Sequence, residues 1–99
     1  MAALYFDLGT LSAKADELEA LNNSFYTEVD NLNSTEEALA GMWEGDAKDA
    51  FRNAYRTDSI QMHNFYNAIK AYVQALREII AYYAQKEAEN VQIAQNRTY

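Results

Sequence analysis

Ala40-Gly41-Met42-Trp43-Glu44-Gly45-Asp46 is the one stretch of this chain in which two glycines fall close together, and it constrains everything on either side. The 99 residues contain no proline, so nothing else obliges a helix to stop. The spacing predicts two helices joined by a tight turn over residues 41–46. In that reading Gly41 takes the left-handed conformation that ends the first helix. Asp46 then caps the second, with Asp49 as a capping-box partner. Trp43 is a large indole in a short turn, and it leaves water only by folding back onto the helices it joins.

The first helix is expected from about residue 7 to 40, some 50 Å long at the usual rise per residue. Leu4, Leu11, Leu18, Phe25, Leu32 and Leu39 recur every seven residues, and a companion row holds Leu8, Ala15, Asn22, Val29 and Glu36. We read Asn22 and Glu36 as lying at the edge of the apolar stripe, with fixing of register as the alternative. The second helix is expected from about 47 to 90. It carries Phe51, Asp58, Phe65, Tyr72 and Ile79 in one row and Tyr55, Met62, Ile69, Leu76 and Tyr83 in another. A third row, Tyr66, Val73 and Ile80, makes the stripe wider than one partner helix covers. After Glu87 the apolar signal thins, and residues 91–99 are expected to fray.

The fold class that follows is all-α, a helix-turn-helix hairpin in a single domain. Fully burying a large apolar side chain contributes about 1.5–3 kcal/mol, so several left wet weaken a lone hairpin badly. Two hairpins packed as an antiparallel four-helix bundle remove that cost. Leu18, Phe25, Leu32, Phe65, Tyr72 and Leu76 are the expected core and dimer interface of that bundle.

Charge narrows the function classes. Residues 1–46 hold ten of the fifteen carboxylates against Lys14 alone, whereas residues 47–99 carry seven bases and five acids. The first helix is acidic and the second slightly basic, which favours their pairing and disfavours nucleic acid as a partner. Met1–Phe6 is short, lacks a basic start and runs into Asp7, so no cleavable leader is expected. The longest apolar run, Ile79–Ala84, falls far below the roughly 20 residues that span a bilayer. No cysteine is present, which removes disulfides and thiolate chemistry and leaves the compartment open.

Trp43-Glu44-Gly45 at mid-chain between two long helices, in a chain of this length, resembles the WXG family of early secreted antigenic target-like proteins exported by type VII secretion systems. The same family's export signal, a tyrosine followed four residues later by an acid, is matched by Tyr83-Ala84-Gln85-Lys86-Glu87. A longer form of that signal adds an apolar residue and a histidine downstream, but Asn90 and Ala94 stand in those places. The resemblance implies a non-enzymatic protein, made in the cytoplasm and secreted to the extracellular space or cell surface by a membrane ATPase of the secretion machine. It implies a partner that is a second copy or a related WXG-type chain. It also implies that Trp43 and Gly45 join Tyr83 and Glu87 in one recognition surface. A hairpin holds its turn and its C-terminus at opposite ends, so only a second hairpin brings the two together. A targeting chaperone for a larger effector and an intracellular helical adaptor are the alternative functions.

Other constellations favour plain structural roles. Lys48, Arg52 and Arg56 form a basic stripe that answers Glu36, Glu37 and Glu44 on the facing end of the hairpin. Asp58, Ser59 and His63 contain the letters of a hydrolytic triad, but a continuous helix offers no pocket or oxyanion hole. His63 has Ser59 and Asn67 as helical neighbours, neither a good metal ligand, and no Gly-rich phosphate loop exists. No catalytic residue, metal site or cofactor is expected.

Overall fold

The computed structural model describes the backbone over residues 7–96 and the side chains over residues 7–90. Expectations about Leu4, the first six residues and the last three lie outside that range. Two helices make up the fold: α1, Leu8–Gly41, and α2, Asp46–Asn96. They form an antiparallel hairpin, with no strand among the described residues. The molecule is a rod, 85 Å long and 16–19 Å across. Its radius of gyration of 22.9 Å far exceeds the roughly 13 Å of a globular domain this size, so most side chains have few neighbours.

Asp7 starts α1. Its carboxylate accepts from the Thr10 amide at 3.1 Å and from the Thr10 hydroxyl at 2.7 Å, which satisfies one of the orphan donors of the first turn. Both bonds favour the ionised form and hold the Asp7 carboxyl below its usual range. The far end of α1 closes with Met42 N–H donating to Leu39 O at 3.1 Å and Trp43 N–H to Ala40 O at 3.3 Å.

The glycine reading is corrected here. Gly41 is still helical, and Gly45 alone takes positive φ, at 96°. Gly45 also precedes the first residue of α2, with its carbonyl accepting from Lys48 N–H at 3.1 Å. Asp46 therefore lies inside the helix rather than capping it, where its charge and that of Asp49 complement the first-turn dipole. The reversal is left to the residue just before α2, because α1 keeps its hydrogen bonding through Gly41 and the chain swings only afterwards. α2 continues to Asn96, six residues past the expected fraying point, with neither glycine nor proline to stop it.

The inward-facing rows differ from those with the largest side chains. Ala15, Asn22, Val29 and Glu36 are buried, together with Ala40, whereas Leu11, Leu18 and Phe25 are half-buried and Leu32 and Leu39 exposed. On α2 the only buried residue described is Val73, from the row that merely widened the stripe. Asn22 and Glu36 thus sit in the helix interface and not at its edge. Each has found a partner across it. Asn22 Nδ2 donates to the Tyr66 carbonyl at 3.1 Å, and Glu36 accepts from Arg52 Nε and Nη2 at 3.1 and 3.2 Å. Small residues at positions 15, 29, 40 and 73 let the helices approach, while polar groups set their register.

Candidate recognition ends and apolar face

At the turn, Trp43 lies against Phe51 with ring centroids 5.2 Å apart and an interplanar angle of 51°. The indole folds back onto α2 as its size demands, yet keeps 36% of its surface exposed. Met42 beside it is exposed almost completely. Gly45 allows the turn to be short, and a Cβ there would meet no atom within 4 Å, so its requirement is conformational rather than steric. The tip therefore presents an aromatic and a thioether on a rigid two-helix support.

The other pair lies at the opposite end. Tyr83 is exposed and packs edge to face on Tyr82 at 5.4 Å, while Lys86 Nζ lies 5.6 Å over the Tyr82 ring. Glu87 is exposed and shares a shallow hollow with Leu8, Ala84 and Ala88, where α1 begins. About forty helical residues, roughly 60 Å, separate this end from the tip. Within one chain Trp43 and Gly45 do not approach Tyr83 and Glu87.

Phe25 and Phe65 meet edge to face with centroids 5.5 Å apart. Of the other expected core residues, Leu18 and Leu76 are half-buried, while Leu32 and Tyr72 are exposed. Leu76 lies in the row that leans on α1. Leu18, Phe25 and Leu32 on α1 and Phe65 and Tyr72 on α2 instead share an open apolar face.

The opposite face is polar and tied across. Tyr55 hydroxyl donates to Asn33 Oδ1, and burial together with the Glu36 carboxylate raises the phenol above its usual range. Near the far end Arg77 donates to Asp16 at 2.8 Å and to both oxygens of Glu19 at 3.0 and 3.1 Å. That fork holds the Glu19 carboxyl below its ordinary value, chiefly through the hydrogen bonds themselves. Sequence reading missed the Asn33–Tyr55 and Arg77 ties. Each links positions that become neighbours only once the helix register is known, although the charge asymmetry between the helices pointed towards such bridges.

Of the basic stripe, Arg52 pairs with Glu36 as expected, whereas Arg56 donates to Asn53 on its own helix at 3.3 Å. Lys48 has no ion pair among the described residues. His63 Nδ1 donates to the Ser59 carbonyl at 2.9 Å, and its ring packs against Tyr26 at 6.0 Å. Among the described residues no group of three or more acidic, histidine or cysteine side chains is placed to hold a metal. No helix is long and apolar enough to cross a membrane.

Comparison with curated proteins and with solved structures yields no match. One family does match, described as proteins of 100 residues with WXG, and it covers residues 5–88, which include all of α1, the turn with Trp43 and Gly45, and α2 as far as residue 88 with the late pair Tyr83 and Glu87. The chain belongs to that family, WXG100, and is a small helical protein of the type VII secretion kind.

Proposed function

We propose that this protein is a non-enzymatic substrate of a type VII secretion system that leaves the cytoplasm as a folded homodimer. The observation that carries the reading is the separation of Trp43 and Gly45 from Tyr83 and Glu87 by about forty residues of continuous helix, roughly 60 Å along the rod. A recognition surface that needs both pairs is incomplete on one chain. An antiparallel second copy brings its Tyr83 and Glu87 beside the first copy's turn, and the dimer carries two such surfaces. The membrane ATPase of the secretion machine reads them and supplies the energy; the exported chain contributes shape and side chains.

The open apolar face supports the same reading. Phe65 is 55% exposed, Tyr72 61%, and among the described residues no large side chain is fully buried. Such a rod has little interior of its own, and a four-helix bundle supplies more.

The test pairs export with folding. Trp43→Ala should reduce both secretion into culture supernatant and melting temperature, because Trp43 packs on Phe51 as well as presenting a surface. Glu87→Ala should reduce secretion alone, its stability staying within about 0.5 kcal/mol of the parent. Normal secretion of Glu87→Ala by a strain with an intact system would refute the role given to the late pair. A purified chain that dimerises only with a different partner would move the assignment to a targeting chaperone.

A further inference from the structure

We infer that the homodimer has a defined register, with Phe65 on its two-fold axis and Asp58 of each copy accepting a hydrogen bond from Tyr72 of the other. The inference rests on the homodimer proposed above and goes further, to which face closes and which atoms lock it.

The open face is built in layers. Phe25 and Phe65 touch, and because the helices are antiparallel, steps of seven residues from that contact place Leu18 beside Tyr72 on one side and Leu32 beside Asp58 on the other. Asp58 is the one acidic residue in its row of α2, and among the described residues its carboxylate has no hydrogen bond or ion pair. Tyr72 is exposed, and its hydroxyl likewise has no partner among the described residues. Both stand seven residues from Phe65, about 10.5 Å along the helix in opposite directions.

Two symmetric ways of closing this face exist, and the polar pair separates them. With the turns at the same end, every layer meets its own equivalent. Both Asp58 carboxylates then gather in one layer without a donor, and both Tyr72 hydroxyls in another without an acceptor. With the turns at opposite ends, the two-fold axis crosses the helices at the Phe25–Phe65 layer. The Leu32–Asp58 layer of one copy then covers the Leu18–Tyr72 layer of the other. α2 packs on its own equivalent, and the one acid of its row meets the one hydroxyl placed symmetrically about the axis. Buried polar groups require partners, so the second arrangement is selected. It is also the arrangement that sets the turn of one copy beside the tail of the other.

Engineered cysteines read this register, since the chain has no cysteine of its own. Phe65→Cys should cross-link to itself under mild oxidation. Asp58→Cys alone and Tyr72→Cys alone should not, because each lies about 21 Å from its own mate, far beyond the ~7 Å Cα separation a disulfide tolerates. A mixture of the two, after subunit exchange, should cross-link. Tyr72→Phe should weaken the dimer by about tenfold or more in sedimentation, the order expected for a hydrogen bond to a charged acceptor. Self-linking of Asp58→Cys in a stable dimer would overturn the register and leave the homodimer standing, as would a dimer in which the mixed pair stays unlinked. An undiminished dimer in Tyr72→Phe would overturn the hydrogen bond. If the unsubstituted protein sediments as a monomer at micromolar concentration, the homodimer itself fails.

Discussion

Asn22 Nδ2 donates to the Tyr66 carbonyl across the helix interface, 3.1 Å away, in a position where every seventh-residue neighbour described is apolar or is itself paired. One buried amide thus ties the middle of α1 to the middle of α2. An amide buried in the seam must keep a partner, which limits the packings open to the two helices, as polar residues in helix seams do.

Asn22→Leu should therefore separate stability from uniqueness. Melting temperature is expected to hold or rise, because an apolar side chain replaces a polar one and no essential backbone bond is lost. Amide NMR spectra should nevertheless show more than one set of signals for residues along the seam. A single sharp set would mean that Arg52 and Arg77 hold the register without Asn22.

Arg52→Ala leaves the Glu36 carboxylate buried, at 6% exposure, without its two-bond fork. Chemical denaturation should register a loss of about 2 kcal/mol, moderated by the partial exposure of Arg52. Replacing both partners with leucine should recover most of it, since the cost comes from the stranded charge.

The two turn glycines should respond with opposite signs. Gly45→Ala forces a side chain into positive φ and should cost about 1–2 kcal/mol, although there is space for the added carbon. Gly41→Ala sits in helix with nothing within 4 Å and should stabilise by about 0.5–1 kcal/mol. Thermal unfolding of the two variants checks this directly.

Arg77 predicts a particular acid limb. Its hydrogen bonds depress the Glu19 carboxyl, so that group's contribution is complete above the usual carboxylate range, about pH 4, and is lost as pH falls through the lowered value. Arg77→Gln should flatten the stability profile below about pH 4.5 while leaving its shape near neutrality unchanged. Screening by 1 M salt should shrink the difference between the two proteins, because the bridge is exposed.

Phe65→Ala should depend on concentration. Phe65 is mostly exposed in the hairpin, so dilute protein should unfold nearly as the parent does; at dimer-forming concentration the loss should approach about 3 kcal/mol per chain. Equal losses at both concentrations would place Phe65 inside the single hairpin's own core.

What the sequence by itself determined is the pair of helices, the turn between them and the charge contrast that favours their pairing. Seven-residue rows over dozens of residues and an absence of proline leave the backbone no competing choice. The Trp-x-Gly turn and the Tyr83–Glu87 spacing were legible too, because both are local patterns. Which row faces inward was not. Neighbouring rows on a helix differ by only about 50° in direction and all repeat every seven residues, so periodicity alone ranks them by side-chain size. That ranking chose Leu18, Phe25, Leu32, Phe65, Tyr72 and Leu76 as the core and interface of a dimeric bundle, whereas the residues buried within the single hairpin are Ala15, Asn22, Val29, Glu36, Ala40 and Val73 among those described. Two helices of one rod approach closely through small side chains and polar pairs across the seam, and the large apolar side chains flank that seam half-buried or exposed. The same tertiary fact decided between the glycines: the left-handed residue is the one at which the chain, already past its first helix, must turn to lay α2 antiparallel on α1.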